Sequence, residues 1–555
     1  MPRRSPLASA QPWLLAGALY GALALLITWP LGACLTTHLP LGELQHATVP
    51  WFNLWTLEWN ADRFAHGLVG YWDAPIFHPA RNAFAFSEPQ ALTALPFSAL
   101  RPWLGAIGAY NATLLLALLL NALSARRFLR LAGVSDAAAT WAGVLALGLP
   151  FALKELGVLQ LTVLAPSLLV LAELALLFRV PSGAAVVRAA LAFAAVLWTC
   201  VYYALLLGLL LALAGVVLLA RARSRRRLRR VGWRGPLLAL CLFAGLAAPL
   251  LLVQRSALAA FERSPDVIRR GSASGWAYAR LPAGSASARL LPQLAAPPGK
   301  RSLYPGAVLV ALAIAGFAAD RRGPRRAFAG YAALALVVAL LLSFGTRLSL
   351  GSWPPYALVQ QLVPGFAQLR SPYRMAVFVQ VLLVLFAGLG LSSLLRSRAR
   401  WSLAAPPVLV ALALLEVVPW GARVRRFPEP AMAEPWIAWL AQQPAGAVAM
   451  VPPALSGKAI DYEPTVLGML QGLRHRHPLV NGYSGFFPRR ADRIAHHLRR
   501  FPRAGNVRAL RRAGVAYAVV DLGWLARQRY STADLAALRR VFAGDRRAVY
   551  ALGHE

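Results

Sequence analysis

The chain is short of acid. Of its 555 residues only 21 are Asp or Glu, against 58 Lys and Arg. Lysine is scarcer still: Lys154, Lys300 and Lys458 are the only three, so 55 of the basic residues are Arg. Cysteine also numbers three, Cys34, Cys200 and Cys241. All three lie in or beside apolar segments without metal-ligand spacing, which excludes a disulfide framework and reads as small buried side chains. No Gly-rich phosphate loop of the P-loop or dinucleotide type occurs, so nothing points to a nucleotide site.

What the chain has is apolar sequence. It is 58% hydrophobic, with a mean hydropathy of +0.54, where soluble domains run at about 45–50% apolar. Apolar runs of about 18 residues or more recur through the first 420 positions, the signature of membrane spans. The first, 13–35, is too long for a signal-peptide core and lacks a small-residue cleavage site, so it reads as a retained span.

The net charge of +37 would suggest nucleic acid in a soluble protein. Here the Arg clusters punctuate the apolar runs: Arg3-Arg4, Arg126-Arg127-Arg130, Arg179 with Arg188, the run from Arg221 to Arg230, Arg321 to Arg326, and Arg396-Arg398-Arg400. Cytoplasmic loops are enriched in Lys and Arg. With the N-terminus in the cytoplasm, eleven spans put every cluster on that side: 13–35, 107–125, 137–153, 157–178, 185–200, 203–220, 236–254, 304–319, 327–344, 373–395 and 402–420. The charge is thereby explained without nucleic acid as a partner. Segments 36–106, 255–303 and 345–372 then face outward, with 94–106, broken by Pro96 and Pro102, expected as re-entrant or interfacial.

The expected fold is therefore a polytopic all-α membrane domain of about eleven transmembrane helices over 1–420. A soluble, extracytoplasmic α/β domain follows over 421–555. In that tail, 434–443 and 534–542 read as helices, 508–512 as helical, and 447–451, 515–520 and 548–552 as short strands.

The first outer loop holds five of the scarce acids, Glu43, Glu58, Asp62, Asp73 and Glu88, and only two basic residues, Arg63 and Arg81. Trp51, Trp55 and Trp59 recur every four residues, as do Glu58 and Asp62, so a helix would carry rings along one side and carboxylates along another. Trp favours the membrane–water interface, and the helix is expected to lie flat on the outer leaflet. Beyond it Pro75, Pro79 and Pro89 rule out a long helix. The extended segment carries Asp73, His78, Arg81 and Glu88, side chains suited to acid–base work on a sugar. In the tail, His475, His477, His496 and His497 match no zinc spacing.

The runs Asp73-Ala-Pro-Ile-Phe-His-Pro, Phe84-Ala-Phe-Ser-Glu-Pro and Tyr110-Asn111 resemble a bacterial family of polytopic membrane proteins classed as glycosyltransferases or as YfhO-like proteins. So do Val363-Pro-Gly-Phe-Ala-Gln-Leu-Arg-Ser-Pro-Tyr-Arg-Met-Ala-Val and Leu479-Val-Asn-Gly-Tyr-Ser-Gly-Phe-Phe-Pro. The resemblance implies a GT-C-like fold and sugar transfer from a polyprenyl-phosphate donor to an envelope glycan or lipid acceptor at the outer face of the bacterial inner membrane. It implies an acid in the first outer loop, for which Gly42-Glu43 is the nearest match, with Asp73 and Glu88 as the other candidates. Arg370 and Arg374, flanking Ser371-Pro372 at the outward start of a span, suit a phosphate. His78, Arg81 and Tyr483 complete the candidate substrate contacts. No cofactor is required by the sequence; a divalent metal is left open. The rival readings are a transporter or lipid flippase, for which Glu173 inside a span would count, and a non-catalytic envelope-assembly protein.

Overall fold

The computed structural model describes residues 6–221, 225–226, 229–259, 261–320, 326–397, 402–528, 536 and 538–553. Arg3, Arg4, Arg223, Arg227, Arg321, Arg322, Arg325, Arg398 and Arg400, and residues 534, 535 and 537 of the helix expected over 534–542, lie outside the described residues.

Among the described residues seven helices are long and apolar enough to cross a membrane: Ala91–Leu131, Asp136–Lys154, Leu159–Arg179, Val201–Ala220, Arg234–Leu258, Arg326–Ser343 and Pro372–Leu395. Shorter apolar helices cover Gln11–Ile27, Gly183–Thr199, Ala307–Asp320 and Ala405–Val417. Each segment expected as a span overlaps one of these helices. Leu-, Ala- and Val-rich runs have no polar side chains to compete for the backbone, and a helix satisfies every backbone group within the segment. The segment 94–106 is helical as well; it forms the start of Ala91–Leu131, which is broken at Gly105 (φ 67°, ψ 176°).

The chain divides into two compact units. One comprises Met1–Leu35, Asn111–Pro249 and Phe261–Val424; the other comprises Thr36–Tyr110, Leu250–Ala260 and Arg425–Glu555.

In the first unit Pro372–Leu395 is the central helix, buried on nearly all sides, as its all-round apolar sequence requires. Ala307–Asp320 packs against it backbone to backbone. A Cβ at Gly316 would overlap the Phe386 carbonyl oxygen and lie 2.6 Å from the Gly390 amide nitrogen. Small residues at such crossings allow the close approach that drives helix association in lipid. Gly316→Val is therefore expected to cost about 3 kcal/mol and to lower the melting temperature in detergent by several degrees. Gly330→Ala, with nothing within 4 Å of its added methyl, should leave it unchanged.

Part of the Arg excess is structural. Arg126 is fully buried and donates to Asp136 at 2.9 Å and to the Thr140 hydroxyl at 3.0 Å, with its guanidinium 4.2 Å from the Trp13 ring. Glu173, the acid inside an expected span, is held by Arg127 at 2.6 Å and Arg188 at 2.8 Å. Its charge is neutralised within the helix packing.

In the second unit the helix Thr48–Ala65 carries the expected Trp stripe. The stripe faces protein rather than the bilayer surface: Trp51, Trp55 and Trp59 are each at most 6% exposed. Trp51 meets Phe427 edge-on, and Trp55 and Trp59 both meet Phe84. The Trp59 indole N–H donates to the Tyr71 carbonyl at 3.0 Å. The loop after the helix supplies Phe84 and Tyr71 and the tail supplies Phe427, so the rings bury against their own chain.

The tail forms a four-stranded mixed sheet in the order Ala447–Val451, Val515–Asp521, Arg547–Ala551, Arg539–Ala543. The first pair is parallel and the other two are antiparallel. Helices Arg489–Leu498 and Ala504–Arg512 bury Ile494, Leu498, Val507 and Leu510 in its core. Within the expected helix 534–542 the described residues from Arg539 form a strand instead. A tight return at Gly544, whose N–H donates to the Arg547 carbonyl, folds it back on Arg547–Ala551.

Candidate functional site

The first unit gathers charge at one place. The turn Pro372–Met375 precedes Ala376–Leu395 and is fixed by the Tyr373 N–H donating to the Gly271 carbonyl at 3.1 Å. It carries Arg374, which is 7% exposed and stacks its guanidinium over Tyr202 at 4.0 Å. The Tyr373 hydroxyl donates to the Glu155 carboxylate at 2.9 Å, and Lys154 Nζ pairs with the same oxygen at 2.9 Å. Arg301 and Lys154 lie 4.2 and 4.7 Å from the centre of the Tyr373 ring. Arg370 is exposed on the approach to the turn. Arg263 is tied there by its N–H to the Ala367 carbonyl at 3.3 Å and its Nε to the Gln368 carbonyl at 3.4 Å.

Electrostatics bind these groups together. Burial pushes the Glu155 carboxyl up, but the charges of Lys154 and Arg374 and the hydrogen bonds from Lys154 and Tyr373 hold it below the usual carboxylate range. Burial, with the positive charge of Arg370, pulls the Arg263 guanidinium down, against the opposing effect of Tyr202. Lys154 and Arg374 thus act on the carboxylate of Glu155, while Arg301 lies over Tyr373 and Arg263 and Arg370 interact on the approach to the turn, beside an apolar bundle. Burying charge without compensation is costly, so this cluster suits an anion.

The structure therefore brings Arg370 and Arg374 into one cluster. Sequence reasoning missed Arg263 and Arg301, which arrive from loops far away in the chain. Lys154 and Glu155 are neighbours in sequence, and Glu155 is also the acceptor for Tyr373 from far along the chain. The doublet Tyr202-Tyr203 at the start of an apolar run was the available signal.

The second unit holds the predicted acids. Glu43 is half-buried in a turn closed by the Leu44 N–H to the Leu41 carbonyl at 3.1 Å. Gly42 before it has φ +57°, a conformation costly for any other residue there. The segment that follows is anchored twice. The Ala47 N–H donates to the Glu463 carboxylate at 2.5 Å, and the Thr48 hydroxyl donates to the Ala459 carbonyl at 2.6 Å. Glu463 places negative charge at the N-terminus of Thr48–Ala65, where the helix dipole favours it. His46, absent from the sequence candidates, sits in this segment. Burial lowers its imidazolium, opposed by the nearby Glu463, and its Nδ1 is buried with no hydrogen-bond partner among the described residues.

Asp73 is exposed and accepts the Asn82 N–H at 2.8 Å, bracing its loop. It lines a cavity of about 940 Å³ together with Glu58, Asp62, Arg63, Arg101 and Arg474. Glu58 and Asp62 are ion-paired here: Arg101 Nε meets Glu58 at 2.8 Å, and Arg63 Nε meets Asp62 at 2.8 Å. Glu88 is buried. Arg81 is exposed.

The backbone around His78 interlocks with the tail. Its N–H donates to the Leu479 carbonyl at 2.8 Å, and burial and the charge of Arg490 lower its imidazolium. Tyr483 packs among Phe52, Tyr462 and Phe487. A Cβ at Gly482 would lie 2.7 Å from the Phe77 ring, so glycine permits this contact. Asn481 uses its side-chain amide on both backbone groups of Met450, at 2.7 and 2.9 Å.

Among the described residues no three His, Cys, Asp or Glu side chains are grouped to hold a metal ion. His477 spends both ring nitrogens on the Gly446 and Leu440 carbonyls. His475 accepts the His477 N–H through Nδ1, and burial, then the nearby His477, pushes its imidazolium down to about 4. With an unfolded value of about 6.5, the unfolded chain binds a proton through this interval that the folded chain does not. Stability is expected to fall as pH drops from about 6.5 towards 4, by on the order of 3 kcal/mol in total. Hydrogen exchange of Ala447–Val451 in the full chain should report this loss, and His475→Phe should flatten it.

No protein-family model and no curated protein matches the chain. Solved structures do. The arabinofuranosyltransferase AftD from Mycobacteria aligns over 98% of this chain and 40% of its own, at 17% identity and a TM-score of 0.60. Its R1389S mutant, class 2, aligns over 98% and 42%, at 18% identity and a TM-score of 0.58. ArnT from Cupriavidus metallidurans in the apo state aligns over 99% of this chain and all of its own, at 15% identity and a TM-score of 0.46. The chain thus spans about 40% of the length of the AftD chain. At these identities the likeness concerns architecture: the chain is a mostly helical, multi-pass membrane protein with the GT-C-like fold of membrane glycosyltransferases, carrying a small sheet domain at its C-terminal end.

Proposed function

We propose that the chain is a membrane glycosyltransferase that moves a sugar from a polyprenyl-phosphate carrier to a cell-envelope glycan or lipid, as its YfhO-like motifs imply. The observation that carries this reading is the basic cluster at this turn: Lys154 and Arg374 beside Glu155, Arg301 over Tyr373, and Arg263 with Arg370. A carrier's phosphate supplies the missing negative charge, and guanidinium groups bind phosphate oxygens in pairs.

In the proposed reaction the acceptor hydroxyl oxygen attacks the anomeric carbon. The bond from that carbon to the phosphate oxygen breaks, and the carrier phosphate leaves with the electron pair. Glu43 takes the hydroxyl proton. The arginines stabilise the charge that grows on the phosphate. Glu43 is taken as the base because it stands nearest the position that the resemblance gives the acid, with Asp73 and the buried Glu88 as the other candidates. The reading places the protein in the bacterial inner membrane, with the N-terminus cytoplasmic and the tail outside.

The test is transfer from a labelled polyprenyl-phosphate sugar in proteoliposomes that hold the purified full chain and an envelope extract as acceptor. A glycosidic product that depends on the carrier is expected. Substrate counterflow without any glycosidic product would replace this reading with transport.

A further inference from the structure

A basic cavity in the first unit shares no lining residue with the cluster described above. It has a volume of about 630 Å³ and is walled by Arg269, Ser274, Thr346, Arg347, Ser349 and Ser352 among others. Two guanidinium groups and four hydroxyls line it, and none of its lining residues is acidic. The acid nearest in sequence, Asp266, is exposed on the helix Pro265–Arg270 and is not part of the lining.

The walls are pre-formed. Arg347 Nε donates to the Arg269 carbonyl at 3.1 Å, which brings the two arginine-bearing segments together despite their like charge. The Ala273 N–H donates to the Ser343 carbonyl at 2.9 Å, and Leu350 and Trp353 exchange backbone hydrogen bonds at 2.9 and 3.3 Å. The Thr346 hydroxyl is buried without a hydrogen-bond partner among the described residues. A buried hydroxyl normally has a partner, so this one marks a place for an acceptor atom.

The residues beside the lining are of a different kind. Trp276 follows Gly275 and is 68% exposed, Leu350 is 68% exposed, and Trp353 is 49% exposed. Large apolar side chains bordering a basic, hydroxyl-rich cavity suit a ligand whose head is anionic and whose body is apolar. Trp in a membrane protein gathers at head-group depth.

We propose that this cavity is a binding site for the phosphate head group of an anionic bilayer phospholipid, separate from the Arg374 cluster. The phosphate oxygens are held by Arg269, Arg347 and the Thr346 hydroxyl, while the acyl chains lie along Trp276, Leu350 and Trp353. The site needs no glycosyl transfer to operate.

Native mass spectrometry of the detergent-purified full chain tests this with three probes: phosphatidylglycerol, phosphatidylethanolamine and inorganic phosphate. The wild type is expected to retain phosphatidylglycerol at least about tenfold more tightly than phosphatidylethanolamine. Arg269→Gln with Arg347→Gln should abolish the difference, and Arg263→Gln with Arg370→Gln should preserve it. Should the first pair fail to fold, Thr346→Val with Arg347→Lys reads the same site with a smaller loss. A wild-type preference for phosphatidylglycerol in the cavity variants overturns the proposal. So does loss in the Arg263/Arg370 variant alone, which would move the lipid to the other cluster. Displacement of the lipid by inorganic phosphate at equal concentration would show a free-anion site and also overturn it.

Discussion

Glu43→Gln is expected to lower the rate of sugar transfer by about 10²–10⁴-fold, the usual contribution of a positioned general base, while carrier binding stays within a factor of two or so. The amide has the size of the carboxylate and can keep a hydrogen bond, but it cannot take the acceptor proton. The loss should therefore appear in kcat and not in the KM for the carrier. Three further substitutions make the assignment specific. Asn at position 73 can still accept the Asn82 N–H through its side-chain oxygen, so Asp73→Asn should remain close to wild type. Glu58→Gln removes only the partner of Arg101. Glu88→Gln alters a buried side chain and should show itself in stability before it shows in rate. A collapse of transfer in Asp73→Asn with Glu43→Gln intact would move the base to the 940 Å³ cavity that Asp73 lines.

The helical body was readable because its signal is one-dimensional. A run such as Ala376–Leu395 holds no charged side chain at all, and lipid leaves such a segment few alternatives to a helix. The strand Ala447–Val451 was readable to the residue because all five positions are buried, leaving a short apolar run between turns. The segment from Arg539 misled because its charges and apolar residues fit a helix as well as an edge strand. Pairing with Arg547–Ala551 decided between them, and pairing is not a local property. The Trp stripe shows the same limit. Its period gave the helix Thr48–Ala65, but whether rings meet lipid or Phe84 and Phe427 depends on what the chain folds against them. Arg370 and Arg374 could be chosen from sequence because they stand four apart at the start of a span. Arg263 and Arg301 could not, since only the tertiary fold brings Arg263 near Tyr202 and Arg301 over Tyr373. His46 is a third case: its burial beside Glu463 joins positions that are hundreds of residues apart.

Arg374→Gln should be the counterpart of Glu43→Gln on the donor side, with a loss of about 10²–10³-fold in transfer, the scale for removing one group that stabilises developing charge. Because the same guanidinium holds the carrier in the ground state, the KM for the carrier should rise along with the fall in kcat, which separates this variant from the base variant. Arg374→Lys should recover only part of the loss, since an ammonium keeps the charge but not the paired donors or the flat face lying over Tyr202. A second readout distinguishes a role in this cluster from simple damage to the fold. Arg374 is one of the charges that hold the Glu155 carboxyl low. Stability from a depressed carboxyl is present above its unfolded value and is lost as pH falls through its folded value. Without Arg374 the folded value rises towards the unfolded one, so the stability lost on acidification should be smaller, and the loss should end at a higher pH, than in the wild type. Melting curves of the full chain taken from pH 7 downward would show that displacement. A variant that lost transfer with an unmoved acid limb would place Arg374 outside the cluster's electrostatics and remove it from the proposed phosphate site.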